Sequence, residues 1–173
     1  PRIALEAVAW HAVVEDDSGT ISTNRVTKIC RKATEGLNVD PEELRRSLLG
    51  SALLNRVAEG SGWHRFVHDA VAHYLAARHL LDLVLGDTEA SASSRGSTGR
   101  DLLMTLVTDP DKWPVLRLYA ALLDSSRTDL TKPRRKRLAD GLLTLVLTQQ
   151  VGANAWLDHL RGYLVGMIGA ELW

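Results

Sequence analysis

Four histidines, His64, His68, His73 and His79, lie close together near the middle of this 173-residue chain. An imidazole can move a proton, hold a metal ion, or donate an N–H to a phosphate oxygen. Their spacings do not put three on one helical face, and the single cysteine, Cys30, offers no companion pair, so no metal site is expected. Nucleophilic catalysis has no support either: Gly-x-Ser-x-Gly is absent, and Gly60-Ser61-Gly62 reads as a turn. No catalytic residue is assigned. What remains is His68. With Phe66 it closes an apparent strand, and an amphipathic helix starts at once behind it. Backbone N–H groups and the helix dipole favour an anion at such a junction. The alternative is a histidine packed at the junction and bonded to a carbonyl.

The other concentration of charge is Lys132-Pro133-Arg134-Arg135-Lys136-Arg137. Cations at a helix start oppose the macrodipole. Arg134, Arg135, Lys136 and Arg137 are therefore a candidate patch for an acidic protein, a nucleic acid or an anionic lipid, the alternative being a solvated helix face. Elsewhere charge is balanced, with 21 Lys and Arg against 21 Asp and Glu, which argues against a strongly basic nucleic-acid binder. The 45% hydrophobic content is that of a soluble globular protein. One cysteine excludes an internal disulfide framework and fits a reducing cytoplasm. No apolar run approaches the roughly 18–20 residues of a membrane span. With Arg2 and Glu6 in the first turn and no cleavage pattern after them, no signal peptide is expected in this stretch.

The elements that must position these residues are mostly helices. Ile3, Ala7, Trp10 and Val14 recur at helical spacing, so residues 3–14 read as an amphipathic helix. Thr20-Ile21-Ser22 makes a short strand, and Ser22 or Thr23 caps a second helix through Val26, Ile29, Cys30 and Ala33, stopped by Gly36. Asp40-Pro41-Glu42-Glu43 opens a third helix that runs through Leu44, Leu48 and Leu49 to Gly50. Residues 52–58 and 63–67 are short strands around Glu59-Gly60-Ser61-Gly62, a hairpin signal. This is the element order of a winged helix, and a fourth helix, residues 69–85, follows the wing directly.

The fold class is thus mainly α: a winged-helix domain over 1–86 with a small β-hairpin wing, a Ser- and Gly-rich linker over 87–100, and a helical region, HEAT-like or a bundle, over 101–173. In the last part Asp109 or Asp111 caps residues 113–123, which bury Leu116, Tyr119, Leu122 and Leu123. Residues 133–150 carry Leu138, Leu142, Leu145 and Val146. Asn154 caps a final helix with Trp156, Leu160, Leu164 and Ile168 on one stripe. Trp113, Trp156 and Trp173 read as packing anchors.

The hairpin and the helix behind it resemble the end of the winged-helix domain of NACHT-type STAND NTPases, the signalling ATPases that include animal NOD-like receptors. That family shows Phe-x-His-x-x-Phe-x-Glu-Tyr-x-Ala-Ala-x-x-Leu, and Phe66, His68, Tyr74, Ala76, Ala77 and Leu80 match it. Val71 replaces the second aromatic and His73 stands where glutamate is usual, one helical turn after Asp69. Ala52-Leu53-Leu54 is similar to the strand that precedes the family's wing, and Trp113-Pro114-Val115-Leu116 to the helical region that follows it. The resemblance is specific over about residues 45–81.

It implies that His68 contacts the β-phosphate of ADP and helps hold a closed, inactive state. It also implies a NACHT domain acting in cis, with ADP or ATP and Mg bound by the parent protein. This chain has no Gly-x-x-x-x-Gly-Lys-Ser/Thr loop and opens at Pro1, so it reads as a non-catalytic piece of a longer ATPase, itself without cofactor. The function implied is a regulatory segment linking the nucleotide switch to a C-terminal sensor in cytoplasmic defence signalling or transcriptional control. Protein partners or self-association are expected through the C-terminal helices. Two other functions compete: a stand-alone helical interaction adaptor, and a winged-helix DNA-binding regulator. Against the second, the helix that would enter a major groove opens with Asp40, Glu42 and Glu43, which repel phosphates.

Overall fold

The structure is a computed structural model that describes residues 1–16, 18–90, 98–124, 130–148 and 155–170. Among these, eight α-helices and one three-stranded antiparallel sheet account for the fold, which is mainly helical with a small β wing. The chain divides into two compact units, Pro1–Leu80 and Leu81–Trp173.

In the first unit α1 (Arg2–Trp10), β1 (Thr20–Ser22), α2 (Thr23–Ala33), α3 (Pro41–Leu49), β2 (Leu54–Arg56) and β3 (Trp63–Phe66) follow the winged-helix order, with strands arranged β1-β3-β2. Local chemistry sets the helix starts. The Ser22 side chain accepts from the Arg25 amide and caps α2. Asp40 accepts from the Glu42 amide, with Pro41 in the first turn, and caps α3. The α1 helix is shorter than its apolar spacing predicts. From His11 to Glu15 it widens into a π turn, where Trp10 Nε1 donates to Glu15 Oε1 at 3.1 Å and Arg25 Nη2 donates to Glu15 Oε2 at 3.0 Å. Those bonds tie the end of α1 to α2.

Register places one face of the sheet inward. Ile21 opposes His64, and Leu54 opposes Phe66, so Ile21, His64, Phe66 and Leu54 are buried while Trp63 and Arg65 face out. The strands are shorter than their apolar runs, β2 covering Leu54–Arg56 and β3 Trp63–Phe66, with three paired residues on each side of β3. Single backbone bonds extend the hairpin on either side, Val57 N to Trp63 O and Val67 N to Leu53 O. At the wing tip Gly60 and Gly62 have φ of +75° and +64°, a conformation that disfavours a side chain. The Gly62 carbonyl accepts from both the amide and the hydroxyl of Thr23, which fastens the wing to the start of α2.

The helix α4 (Asp69–Ala90) is separated from β3 by two residues, Val67 and His68, and buries Ala72, Ala76, Ala77 and Leu80. It meets α1 through Arg78, whose Nε lies 3.7 Å from the buried Glu6 carboxylate, and through the His79 ring, 5.8 Å from that of Trp10.

The second unit contains α5 (Thr98–Thr108), α6 (Trp113–Asp124), α7 (Lys132–Thr148) and α8 (Ala155–Ala170). Of the segment expected to be a linker, residues 87–90 close α4 and 98–100 open α5, while 91–97 lie outside the described residues. Asp109 caps a 3-10 turn, Pro110–Lys112, that leads into α6. The helices α5, α6 and α7 pack together, and α8 packs against α7 and α6. Leu106, Leu116, Tyr119, Leu123, Leu142 and Leu164 fill the centre. The Trp113 and Trp156 rings stack 4.5 Å apart, so both serve as packing anchors. Arg161 donates to Asp158 and to the Val146 carbonyl, joining α8 to α7. Asn154 and Trp173 lie outside the described residues, and among those described no helix is long and apolar enough to cross a membrane.

Candidate functional site

His68 occupies the junction expected of it, between the end of β3 and the first residue of α4. Its carbonyl accepts the amides of Val71 and Ala72 at 3.1 and 3.2 Å, which starts the helix. The imidazole itself is exposed and makes no hydrogen bond or ion pair among the described residues. The packed, carbonyl-bonded alternative is therefore not formed. An exposed imidazole at a helix start can donate to an incoming phosphate oxygen. Asp69, also exposed, places a carboxylate in the same first turn and already balances the helix dipole. A phosphate at His68 would meet that repulsion, so firm binding would need cations from outside this surface, such as Mg and a P-loop lysine.

The other histidines do different work. His64 is buried in the middle strand. Its Nε2 lies 3.1 Å from Thr23 Oγ1, and its Nδ1 has no hydrogen-bond partner. The Thr23 hydroxyl donates to the Gly62 carbonyl, so Nε2 carries the proton that His64 gives to Thr23. Burial lowers the His64 pKa, with the Arg56 guanidinium adding to the effect. His79 packs beside Trp10. Among the described residues no three His, Cys, Asp or Glu side chains gather to hold a metal ion. Cys30 is fully buried, and burial pushes its thiol pKa up, away from a reactive thiolate.

A further polar cluster escaped the sequence reading. His11 Nδ1 contacts Glu15, and Arg25 Nη2 lies 3.0 Å from both His11 Nδ1 and Glu15 Oε2. Burial lowers the His11 pKa, against the opposing pull of Glu15. The i, i+4 spacing of His11 and Glu15 was a usable signal. That Arg25 would join them depended on how α1 meets α2.

The basic run opens α7, with the Arg134 and Arg135 amides donating to the Thr131 carbonyl. Its members are not equivalent. Arg137 is exposed, whereas Arg134, Arg135 and Lys136 are half-buried, and Arg135 and Lys136 border Met167 and Ile168 of α8. Part of this run is therefore packing, carried by the aliphatic stems. On α3, Arg45 Nε is bonded to Glu42 Oε2 at 2.8 Å, which leaves the groove-facing helix of a DNA-binding winged helix with one of its two arginines engaged by an acid.

Comparison with known proteins adds no relative: no family model, no curated protein and no solved structure matches this chain.

Proposed function

We propose that this chain is the winged-helix and helical regulatory segment of a STAND-type signalling ATPase, in which His68 contacts the β-phosphate of ADP and favours the inactive state. The observation that carries the reading is the exposed, unpaired imidazole of His68 at the start of α4. It is supported by the winged-helix strand order and by the Phe66–Leu80 motif. The segment is itself non-catalytic. Its NACHT domain acts in cis and supplies the P-loop, ADP or ATP, and Mg. The helices from α5 onward pass partner binding to the switch, in a cytoplasmic defence or transcriptional role. Exposed Leu147 and Val165, on α7 and α8, are the apolar positions through which a protein partner or a second copy would bind.

One charge-assisted bond contributes about 1.5–3 kcal/mol, so losing it should speed ADP release by roughly tenfold to a hundredfold. The test is ADP release and basal activity in a protein carrying this segment together with its NTPase domain. His68→Ala should raise both. Unchanged release and unchanged activity would refute the proposal. Because His68 is exposed, the same substitution should leave the melting temperature of the chain nearly unchanged.

A further inference from the structure

A second site lies within the Leu81–Trp173 unit, between α6 and α8. On α6, Arg117, Ala120, Ala121 and Asp124 share one face. On α8, Trp156, His159, Leu160 and Tyr163 share another. Two contacts fix the alignment of these faces. Trp113 stacks on Trp156 at one end, and Tyr163 Oη donates to Asp124 Oδ2 at 3.0 Å at the other. Hence the two helices run in the same direction, and the space between those contacts is closed at both ends. Alanine at 120 and 121 leaves it unfilled. The result is a cleft of about 410 Å³, floored by Ala120 and Leu160 and flanked by Arg117, His159 and the Trp156 indole.

Its chemistry is selective. The Arg117 and His159 side chains make no hydrogen bond or ion pair among the described residues, so their N–H groups are available to a ligand. Tyr163 is a neutral phenol, its pKa pushed up to about 12 by burial and then by Asp124, and it adds no negative charge. Of the carboxylates on these two helices, Asp124 is occupied by that phenol and sits two turns along α6 from Arg117, about 10 Å away on the helix axis, and Asp158, next to His159 in sequence, is engaged by Arg161 at 2.6 Å. A guanidinium fork matches a carboxylate, and an indole whose partner ring already holds it rigid is a surface for a second flat group. The volume falls at the lower end of small-molecule pockets, which run from about 300 to 1,000 Å³.

We infer that this cleft binds a small planar organic carboxylate, its carboxylate on Arg117 and His159 and its ring against Trp156. The site belongs to the helical region alone and is independent of any role for His68. Ligand would be sensed where α6 and α8 meet, within the part of the chain proposed above to receive signals.

Calorimetric titration of the full chain with 1-naphthoate tests this, with 1-naphthalenemethanol as the uncharged counterpart. The expected result is saturable, submillimolar binding of the acid and at least roughly tenfold weaker binding of the alcohol. Arg117→Gln should weaken the acid by about tenfold or more through loss of the charge-assisted bonds. Ala121→Leu, which places bulk in the cleft from an exposed position, should abolish binding. Circular dichroism checks that both variants keep their helix content. No saturable binding by the unaltered chain, equal affinity for acid and alcohol, or undiminished binding by either folded variant would overturn the inference.

Discussion

His64→Gln should change how the winged-helix unit responds to acid. Imidazole ordinarily titrates at 6.5, and burial lowers that value at His64. The structure gives the reason. Nε2 already donates to Thr23, and a second proton would sit on Nδ1, which is buried with no acceptor, while the like charge of Arg56, the strand partner of His64, opposes it further. Above 6.5 both folded and unfolded chains hold His64 neutral, and it contributes no pH dependence. Below 6.5 the unfolded chain takes up a proton that the folded chain refuses, so stability falls with falling pH until the folded-state pKa is reached. The slope in that window is at most about 1.4 kcal/mol per pH unit, and the loss from about pH 7 to about pH 5 is at most about 2 kcal/mol. Against a total of about 5–15 kcal/mol for a domain, that is measurable. Glutamine keeps an amide donor for Thr23 and cannot titrate. Urea unfolding across this range, read by circular dichroism and by exchange of the β3 amides, should show a shallower acid loss in His64→Gln. His11, whose pKa burial also lowers, remains in both proteins and drops out of the difference. Parallel acid losses in the two proteins would refute the argument.

Two further outcomes test the packing. Phe66→Ala removes a ring that is 2% exposed on the middle strand, opposite Leu54, and should destabilise the unit by about 3–5 kcal/mol in urea unfolding; a loss under about 1 kcal/mol would mean the wing is not part of the core. A double-mutant cycle with Trp113→Leu and Trp156→Leu should give a coupling of about 0.5–1.5 kcal/mol, as expected of stacked rings 4.5 Å apart, and strict additivity would deny the stack.

Much of the fold was legible because its signals are local. Ser22, Asp40 and Asp109 side chains bond amides two or three residues away, so the helix starts could be read directly. Apolar spacing likewise identified Leu116, Tyr119, Leu122 and Leu123 as one buried face. The π turn at His11–Glu15 could not be read that way, because what holds it includes Arg25 on the next helix.

The same division separates the sites. By itself the sequence determined that a histidine would stand at the start of α4, since that position follows from strand end and helix start alone. Only the tertiary structure decided that His68 is exposed while His64, four residues earlier, is buried. Strand pairing with Ile21 and Leu54 turns alternate residues of β3 inward, and register is a property of partners distant in sequence. The Arg117–His159 cleft is more dependent still. Its walls are separated by all of α7, and they meet because Trp113 finds Trp156 and Asp124 finds Tyr163. Periodicity says which face of a helix is apolar, but which two faces leave a gap between them is set by how the helices pack.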